Sequence, residues 1–168
     1  MDIINNRRSI RSYLNKPLEK EKIDLIIRAA MQAPSAINQK PWRFLVITNK
    51  EKLDEYSTKA STSIFIKEAP CGILFLIDNR SLKAEPMCYQ DMAASVENAL
   101  LEATNLQIGS CWCGVYPREN RMKVMKEVFN IPDYFIPFAL VVLGYPKNSE
   151  DMKYIDRYDE SYIFYEKF

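Results

Sequence analysis

Apolar residues recur at three- and four-residue steps in several parts of the chain, the spacing typical of an amphipathic helix. The clearest stretch covers residues 90–107, where small residues between the large ones let a neighbouring backbone approach closely, as a central helix requires. Its apolar stripe comprises Met92, Val96, Ala99, Ala103 and Leu106. Further helices are predicted at residues 2–6, 19–33, 49–60 and 119–129.

Apolar runs bounded by turn residues predict strands, and the two continuous runs among them predict strands that are covered on both faces. The predicted strands are residues 42–48, 71–77, 110–114 and 138–143. Pro132 and Pro137 are expected to break the chain before the last of these strands. Helices that alternate with three or four strands predict an α+β fold with one sheet.

The composition narrows the class of protein. A length of 168 residues fits a single domain, residues 1–168, and 48% hydrophobic residues exclude a disordered chain. No apolar run reaches the length of a membrane span, and the first residues lack the charged-then-apolar pattern of a signal peptide. We therefore expect a cytoplasmic protein without a membrane partner. A net charge of +1 provides no global field to attract nucleic acid.

Several common catalytic and binding motifs are absent from the sequence. It contains no histidine, which excludes Ser-His-Asp and Cys-His catalysis and histidine-ligated metals. Its four glycines lack the spacing of dinucleotide-binding or P-loop motifs, so a bound phosphate would be held by side chains, preferably arginine. The spacing of the four cysteines fits no common metal site, so we expect reduced, mostly buried thiols and no metal.

Two polar segments carry the candidate chemistry. Residues 7–13 contain three arginines and two serines, whose forked donors and hydroxyls suit a phosphate, although a solvated basic face has the same composition. Residues 33–44 contain small polar residues between two prolines, which predicts a shaped loop. Its Ser35, Asn38 and Gln39 could bond the edge of a heteroaromatic ring, or the loop could be an ordinary capped connection.

The end of the chain is unusually aromatic. Residues 153–168 carry Tyr154, Tyr158, Tyr162, Phe164, Tyr165 and Phe168, interleaved with acidic residues. Aromatic side chains with a polar rim are typical of an interface. We expect residues from about 147 to 168 to form an arm that is exchanged with a partner chain, with wrapping around its own subunit as the alternative.

Together and in this order, these segments resemble the nitroreductase family of FMN-dependent oxidoreductases. The resemblance covers nearly the whole chain and ends with Arg157 and the tyrosine-rich tail. The segments that carry it are RRSIR at 7–11, APSAIN at 33–38 with PWRF at 41–44, QD at 90–91, GSCWCG at 109–114 and LGYP at 143–146.

The resemblance implies a homodimer in which a central, mostly antiparallel sheet is flanked by helices. Two FMN molecules would lie at the subunit interface, each contacted by both chains. In this arrangement Arg7, Arg8, Ser9 and Arg11 would hold the phosphate and part of the flavin edge, with Arg157 as a further phosphate partner.

The resemblance also implies which residues lie near the flavin ring. Gln90 would lie near the ribityl chain or the ring, and backbone N–H groups around Cys113 and Gly114 would face the reactive N5 edge. The residues contributed by the other subunit would be Pro34, Ser35 and Asn38.

The implied activity is a ping-pong hydride transfer. NADH or NADPH would reduce the flavin at N5 and leave, and a small acceptor such as a nitroaromatic or a quinone would take its place. The chemistry belongs to the cofactor, so no catalytic residue is predicted. Positive side chains and N–H donors near the pyrimidine edge would favour reduction.

Three features depart from the family pattern. Gln107-Ile108-Gly109 replaces a turn of the Gly-Leu-Gly type, and Ile155 stands where some members carry a basic residue. About a dozen residues separate the predicted strand at 71–77 from the central helix, which leaves little room for the lid of larger members. The sequence therefore predicts an open pocket that does not define its acceptor.

Other functions stay open. A specialised family member could act on one metabolite, as a dehalogenating or flavin-consuming enzyme does, and a non-catalytic protein could hold FMN without turnover. A nucleic-acid module that binds through Arg7, Arg8 and Arg11 is disfavoured by the net charge of +1.

Overall fold

Four strands form one sheet in the computed structural model, which describes residues 3–62 and 64–168. The strands are β1 (Trp42–Ile47), β2 (Cys71–Asp78), β3 (Gly109–Gly114) and β4 (Phe135–Gly144). Their spatial order is β1–β2–β4–β3, and every neighbouring pair is antiparallel. This arrangement confirms the predicted α+β fold with an antiparallel sheet, and it leaves β3 at one edge.

Helices cover both faces of the sheet. In the described part of the chain they are α1 (Ile3–Asn6), α2 (Lys20–Met31), α3 (Lys50–Lys59), α4 (Cys88–Asn105) and α5 (Glu119–Phe129). Helices α2 and α4 pack on one face, and α3 and α5 pack on the other. Because β2 lies between the two layers, all eight of its residues are buried, which accounts for its continuous apolar sequence.

Helix α4 is the predicted central helix, displaced by two residues toward the N-terminus. Its stripe of Met92, Val96, Ala99 and Ala103 is fully buried between α2 and the sheet. The helix ends where Gln107 adopts a left-handed backbone conformation (φ 59°), and the Ile108 N–H donates to the Ala103 carbonyl at 2.8 Å. A glycine would adopt this conformation more readily, so Gln107 is strained at this turn.

The other helix ends follow local sequence signals. Asn49 caps α3 by accepting from the Glu51 N–H at 2.9 Å, and α5 has the predicted bounds. Helix α2 ends at Met31, two residues before the predicted end. Asp2, the first residue of the predicted N-terminal helix, lies outside the described residues.

The prediction that Pro137 breaks the chain before the last strand is wrong. Pro137 lies inside β4 opposite Leu76, next to a register shift that leaves Phe138 as an extra residue in β4. The Phe138 carbonyl accepts from the Val115 and Tyr116 N–H groups, at 3.3 and 2.9 Å. A proline is tolerated here because a β-bulge interrupts the regular ladder.

None of the helices within residues 3–62 and 64–168 combines the length and the apolar character that crossing a bilayer requires.

Candidate functional site

The arginine-rich segment before Tyr13 runs along the outer edge of β3. Ser9 pairs with Ser110 in a parallel bridge, and the Ile10 N–H donates to the Ser110 carbonyl at 2.9 Å. Gly109 permits this approach, since a Cβ there would lie 2.9 Å from the Ile10 side chain. The sheet edge and the arginine-rich segment are therefore fixed against each other.

Four arginines line one groove. Arg7, Arg8 and Arg11 come from the N-terminal segment, and Arg157 comes from the C-terminal arm. The groove has a volume of about 640 Å³ and also contains Ser9, Ser12 and Asp151. The fold thus joins two parts of the chain about 150 residues apart into a concave, mainly cationic surface.

The guanidinium groups of Arg7, Arg8 and Arg11 have different surroundings. Arg7 forms an ion pair with Glu97 of α4 at 3.4 Å, and Arg11 donates to the Ser9 carbonyl at 3.1 Å. Arg8 donates to the Arg7 carbonyl through Nη1, whereas its Nη2 is buried and has no hydrogen-bond partner in the described chain. Burial lowers the pKa of Arg8, and the nearby charges of Arg157 and Arg7 lower it further. A buried cationic donor without a partner, among like charges, fits an anionic ligand such as a phosphate.

The far end of β3 presents backbone at the open edge of the sheet. Because the Ser110 carbonyl points outward to Ile10, the alternation of an antiparallel ladder directs the Cys113 peptide groups toward Leu140 of β4. Gly114, one residue later, faces outward again, and its carbonyl accepts from Arg121 Nη1 at 2.7 Å. Among the described residues, no atom beyond its two chain neighbours lies within 4 Å of the position that a Cβ of Gly114 would occupy, so a flat ligand could approach the backbone closely.

Gln90 lies at the same end of the molecule as Gly114. The residue before Gln90 and the residue two positions after Gly114 are Tyr89 and Tyr116, whose rings stack with centroids 4.4 Å apart. A hydrogen bond with Tyr116 raises the pKa of the Tyr89 hydroxyl to about 12. Gln90 itself is exposed in the first turn of α4.

The polar loop after α2 is attached to the start of α4. Asp91 is buried, and its carboxylate accepts from the Ala36 N–H at 2.9 Å and from Gln39 Nε2 at 2.7 Å. The Gln39 amide oxygen accepts from the N–H groups of Lys83 and Ala84. The interpretation that Gln39 offers its amide to a ring is therefore wrong, because the fold uses both ends of that amide.

The loop exposes the other predicted residues in a strained turn. Ile37 and Asn38 have φ angles of 44° and 56°, a left-handed conformation that is rare for a β-branched residue such as Ile37. Pro34 and Asn38 are exposed, and the Ser35 hydroxyl accepts from the Lys40 N–H at 3.1 Å. Strain of this kind persists when the surroundings enforce it and is common at ligand sites.

Asp91 binds the strained loop at two points, and its replacement tests how much these bonds hold the loop in place. We expect Asp91→Ala to lower the free energy of unfolding by about 2–4 kcal/mol, because the partly buried Ala36 N–H and Gln39 Nε2 both lose this acceptor. Urea denaturation measures the change. Glu102→Ala, a more exposed carboxylate on the same helix, should change stability by less than about 0.5 kcal/mol. Equal effects of the two substitutions would contradict the assignment.

The cysteine side chains lie away from this edge. All four are buried and free, as predicted. Cys111 and Cys113 point into the layer formed with α3 and α5, on the opposite face of β3 from Trp112. A hydrogen bond between the two thiols lowers the pKa of Cys111 and raises that of Cys113, and the charge of Arg11 adds to the lowering at Cys111.

The C-terminal arm lies outside the core of the chain. Residues 153–168 are all exposed, and the exposed fraction of the six aromatic side chains runs from 56% to 101%. The base of the arm is held by the Ile155 N–H, which donates to the Asn5 carbonyl at 3.3 Å. Exposed aromatic rings in this number form an apolar surface of the kind that is common at protein interfaces.

Comparison with known proteins agrees with the resemblance. The model of the nitroreductase family matches residues 4–87 and 57–145. A protein of Archaeoglobus fulgidus, named "Putative NADH dehydrogenase/NAD(P)H nitroreductase", is 40% identical over 99% of this chain and 97% of its own length.

The fold of this chain is also similar to that of solved structures. A "Putative NADH Oxidase" from Clostridium acetobutylicum is 49% identical and has a TM-score of 0.95, covering 99% of this chain and 100% of its own. An FMN-dependent nitroreductase from Clostridium difficile is 28% identical with a TM-score of 0.89, covering 99% of this chain and 98% of its own. The chain therefore belongs to the nitroreductase family.

Proposed function

We propose that this protein is an FMN-dependent oxidoreductase that passes hydride from NADH or NADPH to small acceptors such as nitroaromatics and quinones. Family membership and the names of the relatives support this activity. The observation that carries the proposal is the buried, unpartnered Nη2 of Arg8 in a groove lined by four arginines. Such a groove meets the requirement of a phosphate monoester, for which the chain offers no glycine-rich cradle.

The groove would hold the phosphate of FMN. Arg8 would donate its free Nη2, and Arg7, Arg11 and Arg157 would supply further charge, with Ser9 at the centre of the segment. The Glu97 carboxylate orients Arg7 from the side of α4. The charge of the phosphate would relieve the mutual repulsion among the arginines, so binding and folding would be coupled at this point.

Backbone and amide groups would hold the flavin ring. Gly114 has an outward-facing peptide, its described neighbours leave the position of its missing Cβ open, and Gln90 lies at the same end of the molecule. The Cys113 peptide groups point to Leu140 of β4 and not to the ring. Cys113 would therefore contribute by fixing the strand beside Gly114. Bound FMN supplies the hydride chemistry, and no side chain of this protein needs to act as a nucleophile.

The site is proposed to be completed by a second copy of the chain, which forms a homodimer. Pro34, Ser35 and Asn38 would reach the ring from the partner, because in one chain their loop is attached to α4 and to residues 83–84 instead of to the groove. The exposed aromatic arm supports exchange between subunits over wrapping around its own subunit. In this proposal residues 1–168 form one domain with an arm from about residue 147.

The pocket over the ring would be open. Only residues 79–87 join β2 to α4, and they form two short 3₁₀ turns (Asn79–Ser81 and Glu85–Met87) instead of a lid. An uncovered flavin face can receive the reduced pyridine nucleotide and the acceptor in turn, which is the ping-pong order.

A direct test is the colour and turnover of the purified protein. It should be yellow and contain about one FMN per chain, and it should oxidise NADH or NADPH faster when a quinone or nitroaromatic is added. A yellow protein without turnover would indicate the non-catalytic alternative. Turnover with a single metabolite only would indicate a specialised enzyme, and a colourless protein that ignores added FMN would contradict the proposal.

Arg11 offers a further test of the phosphate groove. Arg11→Ala should weaken FMN binding by about tenfold, because one charge-assisted contact is lost, while the thermal unfolding of the apoprotein changes little. Fluorescence titration with FMN measures the affinity. Arg28→Ala removes an exposed arginine of α2 that does not line the groove, and it should leave the affinity unchanged. Equal affinities of parent and Arg11→Ala would show that the assignment is wrong.

A further inference from the structure

Helix α5 brings a cation to the end of β3. Arg121 lies half-buried in the first turn of this helix, and its Nη1 donates to the Gly114 carbonyl at 2.7 Å. Its charge also reaches Tyr56 of α3: burial raises the pKa of that hydroxyl to about 12, and the Arg121 charge opposes the rise. Neither the pattern of arginines near the N-terminus nor the proposed phosphate groove includes this residue.

Gly114 lies at the end of an edge strand, opposite Ala139 of β4, and it has no side chain of its own to pack. The alternation of the ladder turns its carbonyl away from β4, so that oxygen depends on another donor. The next two N–H groups, of Val115 and Tyr116, both donate to the Phe138 carbonyl at the bulge of β4. Arg121 therefore holds the Gly114 carbonyl, which faces away from β4, through a short charge-assisted hydrogen bond.

We infer that Arg121 is a positioning residue that acts through Gly114 to favour the reduced form of the flavin. This inference rests on the proposed function, in which Gly114 faces the ring. The guanidinium group fixes the Gly114 peptide and places a permanent positive charge next to its carbonyl oxygen. A fixed positive charge close to a ring that gains electrons stabilises the reduced form relative to the oxidised form.

The test compares two substitutions at position 121. Arg121→Gln can still donate to the Gly114 carbonyl but lacks the charge, whereas Arg121→Lys keeps the charge. For each variant, the dissociation constants of oxidised and reduced FMN are measured, together with the midpoint potential of the bound flavin. Arg118→Gln serves as the matched control, because Arg118 precedes the same helix and its side chain is exposed.

Arg121→Gln should bind oxidised FMN nearly as tightly as the parent, because the phosphate groove is unchanged. Its binding of reduced FMN should weaken by about tenfold, which equals a fall of about 30 mV in a two-electron potential. Arg121→Lys should restore most of this loss, and Arg118→Gln should match the parent.

Three results would overturn the inference: an unchanged potential in Arg121→Gln, an equal fall in Arg118→Gln, or a failure of Arg121→Gln to fold, which would make Arg121 a structural residue. A parent protein that binds no FMN would instead contradict the proposed function. Titration of the parent protein with FMN therefore separates a failure of the proposed function from a failure of the inference about Arg121.

Discussion

Replacing Tyr162, Tyr165 and Phe168 by serine should convert the protein to a monomer and abolish its retention of FMN. These three rings are 80%, 75% and 101% exposed in the isolated chain, so they contribute nothing to its core. Burial of an aromatic side chain contributes about 1.5–3 kcal/mol, and a symmetric dimer would bury both arms. The loss should raise the dimer dissociation constant at least about 1000-fold.

The design keeps Arg157 in place, which a truncation of the arm would remove. Loss of FMN in the triple variant would thus report the loss of the partner's half of the site instead of a lost phosphate contact. Sedimentation velocity gives the oligomeric state, and flavin absorbance after gel filtration gives the retained FMN. Ile64→Ser, at a side chain that is 70% exposed outside the arm, controls for the removal of apolar surface. A triple variant that stays dimeric and yellow would show that the arm does not form the interface.

The elements of the fold follow from local patterns, and this is why they could be predicted. The bounds of α5 and the continuous run of β2 depend on residues within one window of the sequence. The position of Pro137 could not be predicted in the same way, because the bulge at Phe138 forms only when β4 meets both β2 and the end of β3. Local rules treat proline as a breaker, whereas the paired strand accommodates it.

The residues of the candidate site could likewise be predicted where they are close in the sequence, and not where the fold brings distant residues together. The arginines near the N-terminus are close together in the sequence, and the chemistry of a guanidinium group predicts an anion for them. The roles of Asp91, Gln39 and Arg121 depend on contacts between residues that are distant in the sequence or that belong to different elements. The resemblance points to the QD pair at the start of α4 and gives the exposed Gln90 a role at the ring, whereas the buried Asp91 binds the loop.

Arg8→Met should have opposite effects on cofactor binding and on the stability of the apoprotein. FMN affinity should fall at least about 100-fold, because Arg8 is the donor that the fold buries without a partner. The melting temperature of the apoprotein should rise, because the substitution removes a desolvated charge that is repelled by Arg157 and Arg7. Isothermal titration with FMN and thermal unfolding of the FMN-free protein measure the two effects.

Arg7→Met separates this effect from a general loss of charge in the groove. Arg7 is paired with Glu97, so its removal should weaken FMN binding without stabilising the apoprotein, since a partly exposed ion pair contributes only about 0–1 kcal/mol. Inorganic phosphate should raise the melting temperature of the parent apoprotein and should have much less effect on Arg8→Met, because ligands stabilise only the state that binds them. A lower melting temperature in Arg8→Met than in Arg7→Met would mean that Arg8 stabilises the fold. That result would contradict the proposal that the unpartnered Arg8 guanidinium destabilises the apoprotein and binds an anion.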